Sequence, residues 1–109
     1  FRKEHTDWLD DYALFAALKQ AHNGLPWWLW PKALRDRHPD ALNEARHTLL
    51  AGIHRAIFEQ YMFIRQWQAL KTHAEARGIL LFGDLPIYVA HDSADVWVNR
   101  QLFALDDKG

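Results

Sequence analysis

The sequence feature that most constrains the fold is a long helical pattern over 51–77 that ends at a glycine. Apolar side chains recur at helical spacing along one stripe of this segment: Ile53, Ile57, Tyr61, Ile64 and Trp67. Further apolar residues widen the stripe to more than one side: Phe58, Met62 and Phe63. A helix of this kind is expected to be buried. Arg77 in the last turn and Gly78 at the left-handed cap position predict where it ends.

The short apolar run that follows Gly78 predicts a strand over 79–82. Its sequence, ILLF, lacks the polar alternation of a half-exposed strand, so we expect a parallel strand that is buried on both faces. A helix, a glycine and a strand in this order form the αβ half of a βαβ unit. The sequence therefore predicts an α/β fold, with a loop over 83–92 at the carboxyl end of the strand.

The first segment of the chain predicts a helix over 6–22, because aromatic and aliphatic residues recur there at helical spacing. Thr6 or Asp7 suits the N-cap. Asn23 and Gly24 form a suitable stop.

The segment 25–31, LPWWLWP, has a proline at each side and is predicted to be an irregular loop rich in aromatic residues. Its tryptophans could form a platform for sugars or anchor the loop to the core, and packing is the favoured interpretation: Trp27, Trp28 and Trp30. A helical turn is expected at 33–37. Pro39 then suits the first turn of a helix over 39–50.

The C-terminal segment predicts a short helix that is capped by Asp92, carries Asp95 in its first turn and runs to Trp97. A further short strand is expected at 102–105, with a hairpin turn at 106–109. The chain as a whole is thus predicted to be mostly helical, with one or two short strands.

The composition excludes several classes of function. The 109 residues carry 13 basic and 14 acidic side chains, for a formal net charge of −1, so no basic surface indicates a nucleic-acid or membrane partner. The absence of cysteine excludes disulfides, thiolate metal sites and cysteine nucleophiles. The first residues, FRKEH, are not followed by the apolar run of a signal peptide, so none is expected within this sequence, and no apolar run is long enough to span a membrane.

Asp84 is the candidate site residue that the residue pattern itself indicates, because it directly follows the predicted strand and Gly83. In parallel α/β folds, ligands bind outside the carboxyl ends of the strands. A carboxylate there can accept hydrogen bonds from substrate hydroxyls, although a loop aspartate that bonds its own backbone is an open alternative. Tyr88 could stack on a sugar or be an ordinary half-buried aromatic.

A metal site formed by His91, Asp92 and Asp95 is not favoured. No second histidine lies at a short ligand spacing from these residues, and helix capping accounts for both acids.

The chain resembles the 4-alpha-glucanotransferases, also called amylomaltases or disproportionating enzymes, of glycoside hydrolase family 77. Five segments carry the resemblance in chain order: WLDDYALFAALK at 8–19, the W-x-x-W-P element of Trp27, Trp30 and Pro31, QYMFIRQWQALK at 60–71, GDLPIYVAHDSADVW at 83–97, and LFALDDKG at 102–109. The ordered set is specific, and the fourth segment is close to diagnostic.

The resemblance implies a fragment of a (β/α)8 barrel with a helical insertion. It implies an enzyme, usually cytoplasmic or plastidic, that cleaves an α-1,4-glucan and transfers the glucanosyl part to a 4-hydroxyl of glucose or a maltodextrin. The implied mechanism is retaining, with a covalent glycosyl-enzyme. No cofactor is implied, and the partner is a maltodextrin or another α-1,4-glucan.

The resemblance maps Asp84, Tyr88 and Asp92 onto motif positions at the end of the third barrel strand and in the loop after it. These three residues are therefore the expected substrate-binding residues. The catalytic carboxylates of the family lie on later strands, so no catalytic residue is expected in this chain.

A full barrel takes roughly 250 residues, so this chain is expected to be a fragment that is inactive alone and prone to self-association. The alternative is an independent helical module that binds glucan or protein through its tryptophan-rich surface.

Overall fold

A computed structural model describes residues 2–79 and 88–109 of the chain. Five α-helices lie within these residues: α1 at Leu9–Ala21, α2 at Lys32–Arg35, α3 at Pro39–Thr48, α4 at Leu50–Ala76 and α5 at Ala94–Val98. Single 3-10 turns lie at Arg2–His5, Trp27–Leu29 and Arg100–Leu102. This part of the chain contains no β-strand. No helix in it is both long enough and apolar enough to cross a membrane.

The two long helices end as their glycine and asparagine residues predict. After α4, the Ile79 N–H bonds the Ala74 carbonyl at 2.9 Å and Gly78 adopts a φ of 70°. After α1, the Gly24 N–H bonds the Lys19 carbonyl at 2.8 Å, while Asn23 has a φ of 55°. In both cases a left-handed residue lets the chain satisfy carbonyls of the last turn.

The predicted start of the first helix is wrong. Helix α1 begins at Leu9 rather than at residue 6, and neither Thr6 nor Asp7 caps it. The 3-10 turn that precedes it provides the reason, because the Trp8 N–H bonds the His5 carbonyl at 3.2 Å. The backbone therefore supplies an acceptor where we expected a side chain.

The cap of the last helix is also different from the prediction. Ser93, not Asp92, caps α5, and its hydroxyl oxygen accepts the Val96 N–H at 3.3 Å. The carboxylate of Asp92 bonds Lys19 and the Trp27 N–H instead.

The predicted strand at 102–105 is wrong. Leu102 closes a 3-10 turn, and the Leu105 N–H bonds the Phe103 carbonyl at 3.0 Å, so the backbone bonds locally rather than to a neighbouring strand. A turn does follow, in which the Gly109 N–H bonds the Asp106 carbonyl at 3.1 Å, but it is not a hairpin turn. Of the strand predicted at 79–82, only Ile79 lies within the described residues, and it is not in a strand.

The core forms around α1 and three indoles. Leu9, Leu14 and Leu18 on α1 are fully buried. The buried tryptophans each donate their ring N–H to a backbone carbonyl: Trp27 to His91 at 2.8 Å, Trp30 to Leu25 at 3.0 Å and Trp97 to Leu34 at 3.1 Å. A satisfied indole N–H avoids the desolvation cost of an unpaired donor. Packing is thus the role of Trp27 and Trp30.

Helix α4 packs along α1 and is about twice as long, with 27 residues against 13. Within the described residues, the prediction of a buried helix is wrong for α4 beyond Ala56, apart from Ala74. Its buried side chains are Ile53, Ala56 and Ala74, whereas Phe58 and Phe63 are 59% and 61% exposed. Helix α1 is too short to cover the whole apolar stripe of α4.

A glycine sets the close approach of these two helices. A Cβ atom placed on Gly52 of α4 would lie 3.3 Å from the Cβ atom of Ala17 on α1. This distance is tight for two carbon atoms, so a larger side chain would force the helices apart.

We therefore expect Gly52→Leu to destabilise the folded protein by about 1–3 kcal/mol through overpacking. Gly52→Ala is the matched control, because its gain in helix propensity of about 1 kcal/mol offsets the tight contact. Thermal unfolding of the full-length protein measures both. A Gly52→Leu protein as stable as the wild type would show that the α1–α4 contact is not this close.

Candidate functional site

Asp92, at the end of the predicted loop, lines a surface cleft of about 420 Å³ together with residues of α5. The other lining residues are Asp7, Trp8 and residues in the N-terminal half of α1. Four carboxylates and three aromatic rings line the cleft: Asp7, Asp11, Asp92 and Asp95, and Trp8, Tyr12 and Phe15. The cleft is thus acidic, and it offers acceptors and flat rings to a ligand with many hydroxyl groups.

Asp92 lies at the centre of the contacts that hold this loop. One carboxylate oxygen forms a short ion pair with the Lys19 ammonium in the last turn of α1. The other oxygen accepts the backbone N–H of Trp27 at 3.3 Å. Because a carboxylate has about four acceptor positions, Asp92 can still accept a hydrogen bond from a ligand.

His91 holds the same loop from its other side. Its carbonyl oxygen accepts the Trp27 indole N–H at 2.8 Å. Its ring stacks on Trp28, with centroids 4.0 Å apart and planes inclined by 17°. A ring nitrogen also lies 2.9 Å from the carbonyl oxygen of Gly109. The loop is therefore tied to the aromatic segment that follows α1.

Any side chain at position 109 would require the neighbouring atoms to move. The φ of Gly109 is 84°, and an added Cβ atom would lie 2.6 Å from two ring carbons of Trp27. The indole of Trp27 thus contacts the backbone of two separate segments.

Tyr88 is 93% exposed, so its ring is open to solvent at the start of the described loop. Asp84, the first predicted site residue, lies outside the described residues. The structure therefore places Asp92 at the cleft and Tyr88 in solvent, and substrate binding by Asp84, Tyr88 and Asp92 stays a prediction.

A second charged cluster, which the sequence does not predict, surrounds Asp36. Its carboxylate accepts hydrogen bonds from Arg35 at 3.0 and 3.1 Å and from Arg100 at 2.7 Å. The Arg35 hydrogen bond, followed by that of Arg100, lowers the pKa of Asp36 from 3.8 to about 2. The same Asp36 hydrogen bond raises the pKa of Arg35.

Arg100 connects this cluster to the indole beside the loop. Its guanidinium carbon lies 5.2 Å from the centre of the Trp27 ring, and it also donates to the carbonyl of Asp107 at 3.2 Å. The ion pairs of Arg100 and Lys19 could not be predicted from local sequence, because their partners lie 64 and 73 residues away along the chain.

No group of three or more histidine, aspartate or glutamate residues suited to a metal ion occurs in the described ranges. His91 and Asp92 are engaged by the protein contacts given above.

Comparison with known proteins identifies the family of the chain. A family model described as 4-alpha-glucanotransferase matches residues 1–109. The chain belongs to the 4-alpha-glucanotransferase family. It is 52% identical over 109 residues to a 4-alpha-glucanotransferase of Thermus thermophilus, covering 100% of this chain and 22% of that protein. It is 50% identical over 106 residues to one from Synechocystis sp., covering 97% of this chain and 21% of that protein.

A solved structure in this family has the same fold over the matched region. It is an amylomaltase from Streptococcus agalactiae in complex with acarbose, with a TM-score of 0.91 and 37% sequence identity. The match covers 96% of this chain and 21% of the amylomaltase. The chain thus spans about a fifth of the length of the 4-alpha-glucanotransferases that it matches.

The Asp36 cluster makes the stability of the folded protein depend on pH in the acidic range. Because the folded-state pKa of Asp36 is lowered to about 2, its ionised form stabilises the folded state. This contribution is complete above the usual pKa of 3.8 and is lost as the pH falls towards about 2.

We expect Asp36→Asn to lower the free energy of unfolding at pH 7 by about 1 kcal/mol, after allowance for solvent screening. The difference from the wild type should shrink between pH 4 and pH 2. Denaturant unfolding at a series of pH values measures it. A difference that does not change over this pH range would refute the assignment.

Proposed function

We propose that the full-length protein is a 4-alpha-glucanotransferase, which transfers α-1,4-glucan segments to a 4-hydroxyl of glucose or a maltodextrin. The observation that carries this proposal is the family match over residues 1–109, together with 52% identity to the Thermus thermophilus enzyme. The related Streptococcus agalactiae amylomaltase in complex with acarbose supports the binding of an α-glucan.

The proposed reaction retains the anomeric configuration and proceeds in two steps. A carboxylate attacks the anomeric carbon, and a protonated carboxylic acid gives its proton to the departing 4-oxygen. The acceptor 4-hydroxyl then attacks the glycosyl-enzyme, loses its proton to the same acid/base residue, and releases the nucleophile. Both carboxyl groups belong to the part of the protein outside residues 1–109, and the proposal requires no cofactor.

The residues of this chain serve the reaction by binding substrate. Asp84 accepts hydrogen bonds from sugar hydroxyls, and the exposed ring of Tyr88 stacks on a sugar face. Asp92 holds the loop through its contacts with Lys19 and Trp27, and it lines the cleft.

The chain forms part of a (β/α)8 barrel with a helical insertion, and it is inactive by itself, because the proposed catalytic carboxylates lie elsewhere. The exposed apolar side chains of α4 support this interpretation: Phe58, Phe63, Trp67 and Leu70. A surface of this kind favours association, so the isolated chain is expected to self-associate. A cytoplasmic location, as the family resemblance implies, completes the proposal.

The alternative, an independent helical binding module, depends on a tryptophan-rich surface. Burial removes three of the six tryptophans from such a surface, because Trp27, Trp30 and Trp97 are buried with their ring N–H groups already bonded, and leaves Trp8, Trp28 and Trp67 for it.

We expect Asp84→Asn in the full-length protein to reduce kcat for transfer by about 100-fold or more, as does the loss of other preorganised polar groups that face a reacting bond. The rate of glucose release from maltotriose, with longer maltodextrins as the second product, measures transfer. Asp40→Asn, an exposed aspartate on α3, is the matched control and should retain wild-type activity.

Unchanged transfer by the Asp84→Asn protein would show that Asp84 has no role in the reaction and only stabilises the turn. A wild-type protein that forms no longer maltodextrin from maltotriose would refute the proposed function itself.

A further inference from the structure

We propose that Lys19 is a positioning residue for the transfer reaction, because its ammonium group fixes Asp92 and with it the loop that carries Tyr88. The effect on transfer rests on the function proposed above. The effect on the order of the loop does not, so the two can be tested separately.

The contacts of Asp92 carry this inference. Its two carboxylate oxygens bond different parts of the chain, Lys19 on α1 and the backbone N–H of Trp27. The side chains of Lys19 and Asp92 are only 34% and 25% exposed, so solvent and salt screen their attraction less than that of an open surface pair. Lys19 follows the fully buried Leu18, and this burial fixes the end of α1 from which the lysine extends.

In the described part of the loop, the residues on the side of Tyr88 are exposed, and the Ser93 hydroxyl donates to the carbonyl of Ala90 at 2.6 Å. Tyr88 is 93% exposed and Val89 is 44% exposed, whereas the residues from 91 onwards contact the core. Within the described residues, the contacts at 91 and 92, together with the Ser93–Ala90 hydrogen bond, are those that hold the chain next to Tyr88. Trp27 supplies neutral hydrogen-bond donors there, and Lys19 supplies the positive charge.

The acidic cleft explains why this charge matters. Asp7, Asp11 and Asp95 line the cleft together with Asp92. Arg37 lies 3.5 Å from Asp11 and Lys19 pairs with Asp92. Without Lys19, the Asp92 carboxylate would face the other carboxylates of the cleft with its charge uncompensated, and repulsion would displace the loop.

The test uses three variants of the full-length protein. Lys19→Met keeps the length of the side chain and removes its charge, and Lys19→Arg restores the charge. Lys71→Met is the matched control, since Lys71 is an exposed lysine within α4. Amide hydrogen exchange over residues 88–93 reports the order of the loop, and steady-state transfer from maltotriose reports its function.

Lys19→Met should speed exchange over 88–93 about tenfold, as expected for the loss of a coupled contact, and Lys71→Met should not. Because the loop is proposed to bind the glucan in both the ground state and the transition state, KM should rise about tenfold while kcat changes little. Lys19→Arg should recover most of both effects. Adding Asp92→Asn to Lys19→Met should slow exchange over 88–93 again, because the neutral amide removes the uncompensated charge while its carbonyl oxygen can still accept the Trp27 N–H.

Wild-type exchange over 88–93 in Lys19→Met, or exchange that is faster throughout the chain, would overturn the proposal. Faster exchange with an unchanged KM would overturn the positioning role. A wild-type protein without transfer activity would instead refute the proposed function, while the exchange result would still decide whether Lys19 holds the loop.

Discussion

The burial of the Trp27 indole is the interaction on which the surroundings of the cleft depend. Its ring is fully buried, so its N–H must find an acceptor inside the protein, and the His91 carbonyl supplies one. The same residue donates its backbone N–H to Asp92 and contacts the Arg100 guanidinium. Trp27 thus ties His91 and Asp92 to the segment after α1, and Lys19 adds the charged contact to Asp92. Leaving this indole N–H unpaired would cost about 1–3 kcal/mol.

Features determined by local geometry could be predicted from the sequence. Gly78 and Asn23 end helices because a left-handed residue is needed there, and neither depends on a distant partner. The irregular loop at 25–31 follows in the same way from its prolines. Within it, the structure forms the 3-10 turn Trp27–Leu29.

Features determined by distant contacts could not be predicted in this way. Aspartate is a residue type that commonly caps helices, but the carboxylate of Asp92 bonds Lys19 and Trp27. Ser93 caps α5 instead. The apolar residues at 102–105 have strand propensity, yet Phe103 and Leu105 pack against the core instead. For the candidate site, the family resemblance indicated the loop and its residues, whereas the lysine and the arginines that hold its surroundings became visible only in the folded chain.

The exposed apolar side chains in the second half of α4 support the proposal that this chain is part of a longer protein. These side chains are exposed over a stretch that α1 cannot reach, and the relatives are about five times as long as this chain. An apolar surface of this extent is costly in water and is typical of an interface. We therefore infer that the burial of α4 requires the rest of a glucanotransferase.

Sedimentation of the isolated 109-residue chain at several concentrations tests this claim most directly. We expect oligomers or aggregates heavier than 12.8 kDa, because the exposed α4 surface would associate with other copies of the chain. A folded monomer of 12.8 kDa at every concentration, with a cooperative unfolding transition, would contradict it.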